Sequence, residues 1–249
     1  SFKKIAQDRI KSIVKELGQG DKNIITNLWR SINQSYFGRF TSSQLAWQAK
    51  SIISVKGDAD VISLRQNFDS LIEIFIKVKN VEGLFLKLVQ VFDSLGVEII
   101  DADIATTKDK KIALNTFIAS YKYKSMKLTQ RDIKDLTTKI HAIFDGSKEI
   151  KVMNYSENKN SHFKNPTKIS DSIDQQNIRN IVTIETINCS GLLVKIAEIY
   201  KNHGASIHSA KITTLGEKVE DTFFIEDQET NLISKTKMQR IKKALVEII

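Results

Sequence analysis

The four residues Asn188-Cys189-Ser190-Gly191 stand directly before an apolar stretch that begins at Leu192. Asn80-Val81-Glu82-Gly83 stand in the same way before Leu84. A turn that feeds a helix leaves the first backbone N–H groups without intrahelical partners, and these attract a carboxylate. A glycine closing such a turn lets the backbone approach a bound molecule more closely than a side chain permits. The side-chain carbonyl of Asn188 or Asn80 can accept from an ammonium group, although an aspartate would hold it roughly twice as strongly. These groups fit an amino acid, with its carboxylate on the helix N-terminus and its ammonium in the turn. The same residues also suit plain tight turns. Residue types alone leave both readings open.

Other reactive patterns are weaker. Asp101-Ala102-Asp103 has the D-x-D spacing of metal-dependent nucleotidyl transfer, but no glycine-serine loop precedes it, so it reads as a solvated strand face. Glu220 and Asp221 are adjacent, and adjacent strand residues point to opposite faces, which spoils them as an acid/base couple. The four histidines show no metal-ligand spacing, and no His-Asp dipeptide is present. Cys189 is the only cysteine, which excludes an internal disulfide and a cysteine zinc cluster and fits a reducing cytoplasm. In the turn it reads as a bystander.

The elements that must position these turns occur twice. Displacing the sequence by 108 residues lays Gly83-Leu84 on Gly191-Leu192, Gly96 on Gly204, Ala102 on Ala210, Ile104 on Ile212 and Thr106 on Thr214. After a two-residue contraction Thr116-Phe117 falls on Thr222-Phe223. One unit is duplicated. Each copy opens with an alternating β-rich strand, Leu71 to Lys79 or Ile181 to Ile187. A helix follows the turn, with Leu84, Leu88, Val91 and Leu95 on one face, matched by Leu193, Ile196, Ala197 and Tyr200. Gly96 and Gly204 then stand where a left-handed C-terminal cap is wanted. Two strands joined by a hairpin come next, and a closing helix, Thr129 to Phe144 or Ser234 to Ile249, completes the copy.

A fourth strand, Thr167 to Asp174, is expected to complete the first unit after a polar linker and the only proline, Pro166. In the second unit either a last strand is missing or a neighbouring element takes its edge. The fold class is therefore α+β: two ferredoxin-like βαββαβ units, residues 61–175 and 179–249. A helical segment, residues 1–60, precedes them and is expected to pack outside both sheets, with Trp29 and Trp47 on its apolar faces. Exposed sheet edges imply pairing of the units, within a chain or between chains.

Composition excludes several classes. No apolar run reaches the roughly 18 residues of a membrane helix. The first residues alternate charged and apolar positions, as in an amphipathic helix and not a signal peptide. They begin at Ser1 in mid-pattern without Met, as a piece of a longer protein would. The formal net charge is +9, but 31 of the 38 basic residues are scattered lysines, which reads as a solvated surface.

The repeats resemble ACT domains, small ligand-sensing modules. "ITTLGEKVEDTFFIED", "GLFLKLVQVFDSLGVEIIDADI" and "YFGRFTSSQLAWQAKSII" are similar, in this order reversed along the chain, to the C-terminal part of the bacterial PII uridylyltransferase/uridylyl-removing enzymes. This resemblance implies a cytoplasmic regulatory tandem that senses glutamine or another small amino acid, and that acts on the PII signal protein through its parent. It implies that the parent's transferase and hydrolase domains, and the magnesium they use, lie upstream of Ser1. The chain itself is then expected to hold no catalytic residue, metal or cofactor.

In ACT domains a neighbouring unit's second strand supplies the wall opposite the turn. That nominates Ala210, Ile212 and Thr214, or Ala102, Ile104 and Thr106, beside Asn188, Cys189, Ser190, Gly191, Leu192, Asn80 and Gly83. The sequence departs from the family in both turns, where Asn replaces Asp and proline is missing, and at Gln48, which replaces a histidine. Asp103 and Lys211 stand where the family carries arginine. A free-standing ACT sensor is the main alternative. An RNA-binding module is a further one, but the third strands "LNTFIASY" and "EDTFFIED" lack its aromatic motif.

Overall fold

A computed structural model of the chain describes residues 2–15, 17–67, 71–122, 128–149, 167–175, 178–189, 191–215 and 217–249. Four helices lead in: Phe2–Lys15 (α1), Gln19–Arg30 (α2), Ser35–Arg39 (α3) and Ser42–Ile53 (α4). Thr41 and Gln44 cap α4 reciprocally, the Thr41 hydroxyl accepting from the Gln44 N–H and the Gln44 side chain accepting from the Thr41 N–H. The first unit then runs Val61–Gln66 (β1), Ile72–Lys79 (β2), Leu84–Ser94 (α5), Val97–Thr106 (β3), Ile112–Tyr121 (β4) and Gln130–Phe144 (α6). The second runs Lys168–Asp174 (β5), Arg179–Ile187 (β6), Leu192–Asn202 (α7), Ala205–Lys211 (β7), Thr214–Leu215 (β8), Lys218–Asp227 (β9) and Lys235–Ile248 (α8).

Both sheets are antiparallel, in the orders β1-β2-β4-β3 and β5-β6-β9-β7, with the short β8 beside β9. This is the ferredoxin-like order, and the fold is α+β as the sequence implies. One strand moves. Residues 168–174 do not close the first sheet; they pair with β6 along the edge of the second. The first sheet takes β1 on its corresponding edge instead. Each unit is thus ββαββα, with its edge strand placed before the repeat. The physical reason is proximity: an antiparallel neighbour needs only a short connection, and β5 ends at Asp174 where β6 begins at Arg179. Most of the expected linker, with Pro166, lies outside the described residues.

The two units pair within the chain. β3 and β7 run side by side, α5 packs on α7, and the buried side chains of both units merge into one core. That core includes Ile74, Leu88 and Phe117 from the first unit and Ile184, Ile196 and Phe223 from the second.

The helical lead-in contributes no strand to either sheet. It covers the outer face of the first, where Trp29, Phe37, Leu45 and Ile52 pack with Phe75, Ala105 and Leu114. This explains why β2 is buried on both faces: Ile72, Ile74, Ile76 and Val78 meet the main core, and Phe75 meets the lead-in. Trp29 is buried as expected, whereas Trp47 is half-buried beneath the guanidinium of Arg65, 4.5 Å from its ring centre. Gln48 is buried and bridges the two layers. Its Oε1 accepts from Tyr36 at 2.7 Å, and its Nε2 donates to Thr116 Oγ1 at 3.1 Å.

Candidate functional site

Gly83 and Gly191 both stand as helix N-caps in the left-handed region, at φ 71° and 73°, and neither helix start has a side-chain cap. A residue with a Cβ is disfavoured in this conformation, so the repeated glycine answers a backbone need. Each turn opens on a cleft at the seam between the units. The cleft at Gly191 has a volume of about 240 Å³. Asn188, Cys189, Leu192, Ile212 and Thr214 line it from the second unit, and the start of β3, Val97 to Ile99, lines it from the first. The cleft at Gly83 measures about 330 Å³; Asn80, Leu84, Ile104 and Thr106 face the start of β7, Ala205 to His208. The 108-residue repeat carries one set of walls onto the other, so the clefts are related by a pseudo-twofold axis through the seam.

The sequence-nominated residues divide accordingly. Asn188, Cys189, Gly191, Leu192, Ile212 and Thr214 share one cleft, and Asn80, Gly83, Ile104 and Thr106 share the other. Ile212 and Thr214 therefore belong to the same unit as their turn. The neighbour contributes instead the first residues of its second strand. Ala102 and Ala210 are buried and line neither cleft. Ser190 lies outside the described residues.

The Asn side chains differ in their partners. Asn80 Nδ2 donates to the Lys110 carbonyl at 2.8 Å within its own unit, whereas Asn188 Nδ2 reaches Glu98 of the other unit at 3.5 Å.

The electrostatics also differ. Among the described residues the Gly191 cleft is lined by Asp93, Glu98 and Asp221 against one cation, Lys122. The Gly83 cleft mixes Lys110, Lys201 and His208 with Glu82, Glu226 and Asp227. Glu226 is approached by Lys110 at 3.4 Å and Arg179 at 3.6 Å, and Asp227 pairs with Lys237 at 2.7 Å. Burial, followed by the charges of Arg179, Arg39 and Lys110, pushes His208 down to about 3, so it is neutral near pH 7.

Asp221 is the residue that sequence reasoning passed over. The opposite-faces argument about Glu220 and Asp221 holds, since Glu220 is exposed and Asp221 is fully buried. The inward carboxylate lines the Gly191 cleft. Its Oδ1 accepts from the Thr213 N–H at 3.2 Å, and its Oδ2 has no hydrogen-bond partner among the described residues. Burial pushes its pKa up to about 7, opposed by the Thr213 bond. The signal was present in the repeat: the position matching Asp221 in the first unit is Asn115.

At the middle of the seam, Arg39 of α3 donates to Asp103 of β3 at 2.5 Å and to Ser209 of β7 at 3.1 Å. Asp103 is raised by burial and lowered by this guanidinium. The D-x-D pattern is thus a structural contact with the lead-in.

Residues 63–145 match the family described as "Plant bHLH transcription factor, ACT-like domain". The chain is 27% identical over 235 residues to the bifunctional uridylyltransferase/uridylyl-removing enzyme of Psychrobacter sp. (strain PRwf-1), covering 89% of this chain and 26% of that enzyme. It is 26% identical over 248 residues to the Methylococcus capsulatus enzyme of the same name, covering 98% of this chain and 28% of the enzyme. The Acinetobacter baylyi enzyme is 28% identical over 214 residues. The chain spans about a quarter of the length of these relatives, aligning to a C-terminal stretch.

Proposed function

Since nine-tenths of the chain is similar to a C-terminal quarter of the bifunctional uridylyltransferase/uridylyl-removing enzymes, and its repeats are ACT-like, we propose that it is the amino-acid-sensing tandem of such an enzyme. In this reading glutamine binds at the seam in the cytoplasm and controls how the parent modifies the PII signal protein. The observation that supports it is the Gly191 cleft, which joins an uncapped helix start in one unit to a strand of the other. At about 240 Å³ it is smaller than the roughly 300–1,000 Å³ of drug-sized sites and suits an amino acid. Asp93 and Glu98 in its wall favour a neutral side-chain amide over a second carboxylate, and hence glutamine over glutamate. A ligand seated there touches both units at once, so occupancy is linked to how they pair.

The test is thermal. A ligand at about 100 times its dissociation constant stabilises the folded state by roughly 2.7 kcal/mol. At roughly 2–4 °C per kcal/mol, saturating glutamine should raise the melting midpoint by several degrees. Glutamate and asparagine should do much less. Gly191→Val places a β-branched residue at φ 73° and crowds the helix start, and should remove the shift. A full shift in that variant places the site elsewhere, with the Gly83 cleft next.

Among the described residues no three His, Cys, Asp or Glu side chains cluster to hold a metal ion. The purified 249-residue chain, given magnesium, UTP and the PII protein, is expected to transfer no UMP. Detectable labelling of the PII protein would overturn this.

A further inference from the structure

The two units match in backbone but not at two buried positions of the repeat. In the first unit the repeat places Phe92 and Asn115 in the core. Phe92 packs edge-on to Phe117 at 4.9 Å, and Asn115 donates to the Ile76 carbonyl at 3.5 Å. In the second unit the matching residues are Tyr200 and Asp221. Both are buried, and the tyrosine hydroxyl and Asp221 Oδ2 are without hydrogen-bond partners among the described residues. A buried polar atom left unpaired costs about 1–3 kcal/mol, and a charged one more. The second unit therefore carries two polar burdens that the first avoids. Tyr200 still packs edge-on to Phe223 at 5.4 Å, so a phenylalanine would fit the same packing. Local rules broken in this way concentrate at functional sites.

Of the two atoms, Asp221 Oδ2 is the one whose side chain lines the Gly191 cleft. We propose that Asp221 receives the cationic ammonium of an α-amino acid bound in this cleft, and that the Gly83 cleft carries the neutral Asn115 at the matching position. The inference rests on the reading that the Gly191 cleft holds an amino acid, and it adds the group that selects for a free amine. The ammonium would meet the unpaired oxygen, while the carboxylate lies toward the uncapped start of α7 and Lys122. The groups facing Asp221 are Tyr200 of α7 and the Thr213 N–H; Asp93 of α5, Glu98 of β3 and Lys122 line the same cleft. An ammonium is the charge that an acid in such surroundings lacks.

Isothermal titration of the 249-residue chain with L-glutamine at pH 6.5, in buffers of different ionisation enthalpy, tests this. Asp221 is partly protonated in the empty site at that pH, so ammonium binding should release a fraction of a proton, seen as a buffer-dependent heat. Asp221→Asn should weaken binding at least tenfold and abolish the buffer dependence. N-acetyl-L-glutamine, which has no ammonium, should not bind. If Asp221→Asn binds as the wild type does, with the same proton release, the assignment of Asp221 is wrong while the glutamine reading stands. If the wild type gives no heat at millimolar glutamine, both fail.

Discussion

Replacing Asp221 by asparagine is expected to make the ligand-free protein more stable, and increasingly so as pH rises. Folding lifts this carboxyl from an ordinary value of about 3.9 to about 7. Its folded pKa is the raised one, so between these values the folded state holds more protons than the unfolded. Stability from this group is therefore lost as pH climbs from about 4 to 7 and is flat beyond. The full difference is worth about 4 kcal/mol as an upper limit. An asparagine amide still wants an acceptor at this buried position, which offsets part of the gain. At pH 8 the variant should melt roughly 5–10 °C above the wild type. Near pH 4.5 the two should nearly coincide. Asp101 and Asp103 are raised as well, so the wild-type trend alone is ambiguous; the difference between the two proteins cancels them. A pH-independent gap would mean that Asp221 titrates normally.

Phe75→Ala should release the lead-in before the units unfold. Phe75 is fully buried between the first sheet and α4, with Trp47 edge-on at 6.1 Å. Truncating such a residue costs roughly 3–5 kcal/mol. Both tryptophans lie in the lead-in, so their fluorescence reports that layer alone, whereas far-ultraviolet circular dichroism reports the whole chain. In Phe75→Ala the fluorescence transition in urea should precede the dichroism transition. Phe117→Ala removes a ring of equal size from the opposite face of the same sheet. There the two transitions should move together. Coincident transitions in Phe75→Ala would show that the lead-in and the first unit unfold as one.

The duplicated glycines carried most of what was legible in the sequence. A left-handed position at a helix start and another at a helix end are local demands, and Gly83, Gly96, Gly191 and Gly204 meet them with φ between 60° and 73°. The helices follow from side-chain spacing for the same reason. Strand partnership is different, because an edge strand such as "KISDSID" carries an alternating pattern that two sheets can satisfy equally well. Only its distance along the chain from β6 decides between them. The strand "VISLRQ" is half-covered by α4 and shows little alternation, so it could not be read as the first sheet's edge. The cleft walls depended on how the units meet, which no local pattern encodes. Asp221 was visible as an acid on an inward face, but its missing partner belongs to three-dimensional packing. Comparing the copies position by position, and asking where one is ionisable and the other is not, would have found it.

Arg39 holds one hydrogen-bond acceptor on each side of the seam, between clefts that open at its two ends. Any sliding of β3 along β7, from whichever end it begins, must stretch one of these two bonds. The lead-in therefore behaves as a strain gauge fixed across a joint. A guanidinium also fixes the direction of both bonds, so a lysine at this position would keep the charge but lose the gauge's orientation.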